Sequence, residues 1–186
     1  MPPDPPDPPL TDGVVLLRPW RERDVPAIAS ACRDDEIAWW LDQVPQPYGE
    51  ADALAWFESI ERAWADGSFA GFAIELDGRA VGSMGMGFKE DRSVAEAGYW
   101  LAAEHRGRGV TTRALRLVAG WAFRECGIER LELRADVENV ASQRVARKAG
   151  FTREGVLRAQ RYNPRLGRRV DLVMFSLLRG ELNLSS

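Results

Sequence analysis

The most informative stretch of the sequence is Leu101-Ala102-Ala103-Glu104-His105-Arg106-Gly107-Arg108-Gly109-Val110-Thr111. It runs from the end of an apolar strand, through a loop with two glycines, into the first turn of a helix. A helix N-terminus exposes unpaired N–H groups and the positive end of the helix dipole, and glycines let a ligand approach the backbone closely. The stretch therefore predicts a cradle for phosphate oxygens, to which Arg106 and Arg108 would add charge-assisted bonds. The alternative is a glycine loop that only turns the chain, and the GK[ST] ending of a P-loop is absent from it.

Hydrophobic patterns on both sides of this loop predict the other elements. The predicted strands cover residues 14–18, 69–76, 81–88, 94–101, 131–135, 151–158 and 170–178. The predicted helices cover residues 24–33, 50–66, 110–126 and 140–149. The order along the chain is β-α-α-β-β-β-α-β-α-β-β, which predicts an α+β (mixed α/β) domain and not a regular doubly wound sheet.

The composition is that of a soluble globular domain of ordinary size. The chain has 186 residues and a net charge of −3, which argues against nucleic acid as a partner. Residues 1–9 hold six of the eleven prolines, so residues 1–12 are predicted to be a proline-rich tail and residues 13–186 a single domain. The sequence shows no membrane-spanning stretch, no signal peptide and too few cysteines and histidines for a metal site, so we expect a cytoplasmic protein without a metal.

Several motifs in one consistent order resemble the GNAT superfamily of N-acyltransferases. Arg106 to Gly109 are similar to the start of its [Q/R]-x-x-G-x-[G/A] motif, which binds the pyrophosphate of coenzyme A, although Thr111 stands where the family usually has Gly or Ala. Three more motifs resemble the branch that acetylates ribosomal-protein N-termini. They are Glu96-Ala97-Gly98-Tyr99-Trp100-Leu101, Asn139-Val140-Ala141-Ser142-Gln143-Arg144 and Gly150-Phe151-Thr152-Arg153-Glu154-Gly155. Leu16, Arg18 and Asp24 resemble the opening motif of that branch.

The resemblance implies a strongly twisted mixed sheet flanked by helices, in which two central parallel strands splay apart and admit the cofactor. It implies acetyl-CoA as co-substrate and a primary amine as acceptor, either a protein N-terminal α-amine or a small-molecule amine. A homodimer is compatible with it, because dimers are common among such folds. The implied cofactor-binding residues are Leu101, Ala103, Arg106, Gly107, Arg108, Gly109, Val110, Thr111, Asn139 and Ser142.

Amide formation from a thioester needs a neutral amine, a stabilised oxyanion and a proton for the leaving thiolate. Glu96 is the predicted general base, since it lies on the strand that leads to the cofactor loop and its neighbour Trp100 would raise its pKa toward neutrality. The competing interpretation is a surface or salt-bridged glutamate. Backbone N–H groups near Leu101 to Ala103 would stabilise the oxyanion.

Ser142 is the predicted proton donor to the thiolate, in the first turn of a helix that Asn139 caps. The resemblance places Asn139 against the pantetheine arm of the cofactor. Tyr162 is a second candidate for the acid. Some members of the branch carry a catalytic glutamate in the strand after the G-F-x-x-E-G motif, but residues 157–162 contain no acid here.

The acceptor site is the part of the function that the sequence describes least. The predicted acceptor-binding residues are Trp39, Trp40, Glu96 and Trp100, although aromatic side chains more often belong to a core. Two alternatives stay open. One is a transferase that uses another donor such as succinyl-CoA, whose acidic tail Arg161 or Arg168 would bind. The other is a domain that binds coenzyme A without turnover, as a sensor or interaction module.

Overall fold

The computed structural model describes residues 4–182 and arranges them around one eight-stranded sheet with the strand order β1-β2-β3-β4-β5-β6-β8-β7. The strands are β1 (Leu10–Thr11), β2 (Leu16–Pro19), β3 (Phe69–Leu76), β4 (Arg79–Phe88), β5 (Val94–Leu101), β6 (Arg130–Asp136), β7 (Thr152–Asn163) and β8 (Arg168–Leu178). The helices are α1 (Val25–Ala31), α2 (Asp35–Trp40), α3 (Glu50–Asp66), α4 (Val110–Glu125) and α5 (Val140–Ala149). Short 3-10 turns at Glu22–Asp24 and Ala103–His105 precede α1 and follow β5.

The two central strands β5 and β6 are parallel and separate soon after they meet. They pair only where Val94–Glu96 lie beside Arg130–Glu132, while every other neighbouring pair of strands is antiparallel. Residues 97–101 and 133–136 therefore line an open gap in the middle of the sheet. The predicted mixed sheet with splayed parallel strands is confirmed.

Alternate residues of β3 enter two separate cores on opposite sides of the sheet. Phe72 and Ile74 belong to the larger core, which α4 covers, and Ala73 belongs to the smaller one, which α1 and α3 cover. The helical spacing that predicted α4 is the spacing of its buried residues, because Leu115, Val118, Ala119 and Ala122 are all fully buried.

Arg18 and Asp24 form a buried ion pair that connects β2 to the start of α1. Only 1% of the Arg18 surface is exposed. Its Nη1 donates to Asp24 Oδ2 at 2.6 Å and its Nη2 donates to Oδ1 at 3.0 Å, while its Nε donates to Glu75 on β3. Asp24 does not cap α1 as expected, because Arg18 and the N–H of Arg21 occupy its carboxylate.

The last three residues of the predicted tail, Leu10 to Asp12, are part of the folded domain. Leu10–Thr11 pairs with β2, and Asp12 Oδ1 accepts hydrogen bonds from the N–H groups of Val14 and Val15 at 3.0 and 2.9 Å. The predicted boundary between residues 12 and 13 is therefore wrong. The turn at Asp12 delays the next strand, so β2 begins at Leu16 and not at Val14.

Two further elements differ from the prediction. Helix α2 was expected as a connection, but Asp34 starts it by accepting a hydrogen bond from the N–H of Ile37 at 2.9 Å. Strand β7 continues to Asn163 because a bulge at residues 157–161 lets it keep pairing with β8. Ala159, with a φ of 48°, lies inside that bulge.

Within residues 4–182, no helix is long and apolar enough to cross a membrane.

Candidate active site

A cavity of about 450 Å³ lies in the gap between β5 and β6. It is lined by residues of the glycine loop, α2, β5, β6, β7 and the first turn of α5. The sequence-predicted residues that line it are Trp40, Glu96, Trp100, Leu101, Arg106, Gly107, Thr111, Asn139 and Ser142. Elements far apart in the chain thus bring most of the predicted site residues to one space.

The glycine loop has the backbone that its sequence predicts. Gly107 and Gly109 have φ angles of 75° and 79°, in the left-handed region that glycine adopts without strain. Gly109 starts α4 without a side-chain cap, so no side chain occupies the first N–H groups of the helix. Arg108 is exposed and makes no ion pair with any residue between 4 and 182. The loop can therefore present N–H groups and one guanidinium to phosphate oxygens.

Arg106 points away from that task, toward α2. Its Nη1 donates to Glu36 Oε2 at 2.7 Å and its Nη2 to Asp34 Oδ1 at 2.9 Å. Its Nε donates to the carbonyl oxygen of Leu101 at 3.1 Å. The guanidinium that was predicted to bind phosphate is thus occupied by two carboxylates and a carbonyl.

The edge of β5 that faces the gap carries main-chain donors. The N–H of Ala102 donates to the carbonyl of Val81 on β4 at 2.9 Å, so it is not available to an oxyanion as the sequence analysis expected. Because N–H groups alternate sides along a strand, those of Tyr99 and Leu101 point into the gap. The odd-numbered residues of β5 therefore supply the main-chain donors that the gap offers to a ligand.

Ser142 forms a hydroxyl pair with Tyr99, which the sequence analysis quoted in a motif without giving it a role. The two side-chain oxygens lie 2.8 Å apart, and Asn139 Oδ1 accepts a hydrogen bond from the N–H of Ser142 at 2.9 Å, as predicted for a helix cap. Burial raises the pKa of Tyr99 to about 12, and the hydrogen bond with Ser142 lowers it only in part. Tyr99 is therefore a protonated phenol at neutral pH.

Glu96 lies in the cavity wall, but its surroundings are ionic. Arg134 Nε donates to Glu96 Oε1 at 2.7 Å, Arg134 Nη2 donates to Oε2, and Lys89 Nζ lies 3.0 Å from Oε2. Burial alone would raise the pKa of Glu96, but the hydrogen bonds from Arg134 and Lys89 outweigh it, and the net shift is downward. The expectation that Trp100 raises this pKa toward neutrality is wrong, and the salt-bridged interpretation is confirmed.

Six predicted site residues are not part of the cavity wall, namely Trp39, Ala103, Arg108, Gly109, Val110 and Tyr162. Tyr162 is 54% exposed because it follows Arg161, a cavity residue, and successive side chains of a strand point to opposite faces. Trp39 is 38% exposed because it precedes Trp40 on α2, about 100° around the helix. Neither side chain lines the cavity. Ala103 lies beyond the gap, beside a separate cavity that His105 also lines.

Sequence reasoning missed Tyr99, Arg134 and Asp136 as cavity residues. Tyr99 had a detectable signal, because period-two alternation gives it the same face as Ala97 and Leu101. Arg134 and Asp136 are two positions apart on β6, so alternation puts them on one face of that strand. Their meeting with β5 and β7 depends on strand pairing, which local sequence does not specify.

The chain matches the acetyltransferase (GNAT) domain family over residues 15–152, and it belongs to that family. A Bacillus subtilis (strain 168) protein named "Probable N-acetyltransferase YjcK" is 38% identical over 91 residues, which are 47% of this chain and 50% of that protein. The ribosomal-protein-serine acetyltransferase of Escherichia coli (strain K12) is 30% identical over 99 residues, which are 46% of this chain and 55% of that protein. These two matches thus span about half the length of the relatives.

A solved structure extends the likeness over nearly the whole chain. RimJ of Mycobacterium smegmatis, solved in complex with CoA-disulfide, superposes with a TM-score of 0.82 and 25% identity. The match covers 96% of this chain and 87% of that one. The eight-stranded sheet is therefore the GNAT fold.

Proposed function

We propose that this protein transfers the acetyl group of acetyl-CoA to the α-amino group of a protein N-terminus. The observation that carries the proposal is the gap between β5 and β6. It joins the glycine loop, a row of main-chain donors and the Tyr99–Ser142 hydroxyl pair within one cavity of about 450 Å³. Membership of the GNAT family and the ribosomal-protein-serine acetyltransferase among its relatives support the same reaction.

The proposed reaction uses these groups in turn. The neutral amine attacks the thioester carbonyl, and the N–H groups of Tyr99 and Leu101 stabilise the oxyanion that forms. As the C–S bond breaks, the thiolate takes a proton from Ser142, and Ser142 recovers one from Tyr99 across their 2.8 Å hydrogen bond. The proton that the attacking nitrogen loses passes through water and restores Tyr99. Tyr99 is suited to this role because its pKa of about 12 keeps it protonated at working pH.

Glu96 serves as an anion in this scheme, and not as the pH-setting base. A carboxylate whose pKa is lowered stays ionised at neutral pH and is a weak proton acceptor. Its charge holds Arg134 and Lys89 at the wall of the gap. The acceptor amine, with an ordinary pKa near about 8 for an α-amine, then sets the fraction of molecules ready to react.

The charges of the cavity favour a monoamine acceptor over a polyamine. Three carboxylates line the cavity, and each has an arginine partner. Glu36 pairs with Arg106 and Glu96 with Arg134, and Asp136 Oδ2 accepts from Arg161 at 3.4 Å. A polyamine keeps further ammonium groups charged after one amine has reacted, and those groups need carboxylates that are not already neutralised. A peptide N-terminus carries one such charge.

The test is direct detection of the product. Purified protein is incubated with acetyl-CoA and peptides that begin with Ser or Ala, with the same peptides already acetylated as controls, and with spermidine. Mass spectrometry should show a gain of one acetyl group on the free peptides and a much slower reaction with spermidine. Succinyl-CoA as donor tests the alternative transferase. Saturable acetyl-CoA binding without transfer to any amine would favour the non-catalytic module.

A further inference from the structure

Helix α2 forms one wall of the acceptor end of the cavity and is too short to hold itself in place. It has six residues, fewer than two turns, and isolated helices below about 12 residues are marginal in water. Ile37 and Trp40 nevertheless line the cavity and so shape the acceptor site. The contacts that hold α2 therefore decide that shape.

At its N-terminal end, α2 is held by Arg106. Asp34 Oδ1 accepts from the N–H of Ile37 at 2.9 Å and from Arg106 Nη2 at 2.9 Å. The same oxygen thus caps the helix and ties it to the glycine loop. Arg106 Nη1 adds a bond to Glu36 in the first turn at 2.7 Å. These contacts join residues 70 and 72 positions apart in the chain.

At its C-terminal end, α2 is held by Arg161 of β7. Arg161 Nη1 donates to the carbonyl oxygen of Trp40 at 3.1 Å and lies 3.7 Å from Asp42 Oδ1. Its Nη2 donates to Asp136 Oδ2 at 3.4 Å, which connects the same guanidinium to the end of β6. A cation next to the last carbonyls of a helix is favoured by the helix dipole.

We infer that Arg106 and Arg161 are positioning residues that fix α2 as the acceptor wall and so set the affinity for the acceptor. The inference rests on the proposed transfer to an amine acceptor. Arg106 sits in the glycine loop, but its donors serve α2, so its removal acts on the acceptor and not primarily on the cofactor. Arg108, two residues away in the same loop, is expected to act on cofactor binding and not on acceptor affinity.

Kinetics separates the two arginines. Arg106→Ala should raise the KM for the acceptor peptide by about tenfold, the effect of losing hydrogen bonds to charged groups, while kcat and the calorimetric Kd for acetyl-CoA change by less than about twofold. Arg108→Ala should weaken acetyl-CoA binding and leave the acceptor KM unchanged. Arg161→Ala should resemble Arg106→Ala, with the exposed Arg158→Ala on the same strand as its control. Arg106→Lys should recover part of the acceptor affinity.

Hydrogen–deuterium exchange gives a readout that does not need activity. Arg106→Ala and Asp34→Asn should speed exchange in residues 35–41 and leave β5 and α4 at the wild-type rate. If Arg106→Ala weakens acetyl-CoA binding with an unchanged acceptor KM, Arg106 is a phosphate ligand and the inference is overturned. Unchanged exchange in α2 would overturn it as well. Should no amine prove to be an acceptor, the exchange result still decides how α2 is held.

Discussion

Glu96 lines the cavity, and the structure shows its ionic partners, which the sequence left open. Arg134 and Lys89 lower its pKa, so it does not titrate between pH 6 and 9. We expect Glu96→Gln to reduce kcat/KM by about 10- to 100-fold, because Arg134 and Lys89 lose their charged partner in the cavity wall. The pH midpoint of the rate should stay where the acceptor amine sets it.

The matched control for that variant is Glu132→Gln. Glu132 lies beside Glu96 in the parallel register of β6, pairs with Arg130 and is not part of the cavity wall. It should leave kcat/KM close to the wild-type value. A midpoint that moves or disappears in Glu96→Gln, measured as initial rates across this pH range, would show that Glu96 is the general base after all.

The hydroxyl pair makes a second prediction for single residues. Ser142→Ala removes the proposed proton donor to the thiolate, so kcat should fall by about 10²- to 10⁴-fold while the Kd for acetyl-CoA stays nearly constant. Tyr99→Phe keeps Ser142 in place and should cost less. If Tyr99→Phe reduces kcat more than Ser142→Ala, Tyr99 itself is the proton donor. Single-turnover measurements with a Ser peptide distinguish these outcomes.

Three strands are joined at their edge by one glutamate. Glu154 on β7 accepts two hydrogen bonds from Arg130 on β6 at 2.7 Å and one from Ser176 on β8 at 2.7 Å. The bonds from Arg130, with a smaller contribution from Ser176, lower the pKa of Glu154 from 4.5 to about 2. A group whose folded-state pKa is depressed stabilises the fold above its unfolded pKa and loses that contribution as the pH falls.

Glu154→Gln should therefore make the free energy of unfolding depend less on pH in the acidic range. Between pH 4.5 and about 2, the wild type should lose more of its free energy of unfolding than the variant does. Urea denaturation at several pH values measures this slope. Glu90→Gln, on an exposed loop, is the control and should follow the wild type. Identical slopes for Glu154→Gln and the wild type would show that the pair does not persist in solution.

The elements that the sequence predicted well are those with a local signal. Strand β5, the glycine loop and α4 follow from alternation, from Gly107 and Gly109, and from the buried helical stripe that includes Leu115. Helix α2 was missed because six residues are too few to show a helical period, and β1 because two residues in a proline-rich segment show no alternation. The partners of Arg106 were missed because they lie about 70 positions away.

Across the whole fold, a buried charge cluster connects the start of α1 to strands β2 and β3. Arg18 of β2 joins Asp24 before α1 and Glu75 on β3. Removing Asp24 breaks a buried ion pair and leaves Glu75 as the remaining carboxylate partner of Arg18, and breaking a buried pair costs about 3–5 kcal/mol. Asp24→Ala should therefore lower the free energy of unfolding by about 3 kcal/mol or more.

Equilibrium denaturation tests this prediction, with Glu22→Ala in the same turn as its control. Glu22 is exposed, so its loss should change stability by less than about 0.5 kcal/mol. Equal stabilities for Asp24→Ala and Glu22→Ala would contradict a structural role for the cluster. The sequence pointed to Arg18 and Asp24 through a resemblance, and their 1% and 7% exposure gives the physical reason for that motif.

The parting of β5 from β6 leaves the sheet with an interior edge, and a molecule that carries amide groups can occupy that edge as an additional strand. Such a ligand supplies part of the secondary structure of the protein, so its concentration should shift the melting temperature as well as the rate. Spent coenzyme A keeps the same amide-bearing arm as the acetylated form. We therefore expect coenzyme A to compete with acetyl-CoA for this edge. The rate of turnover would then depend on the ratio of acetyl-CoA to coenzyme A and not on either concentration alone.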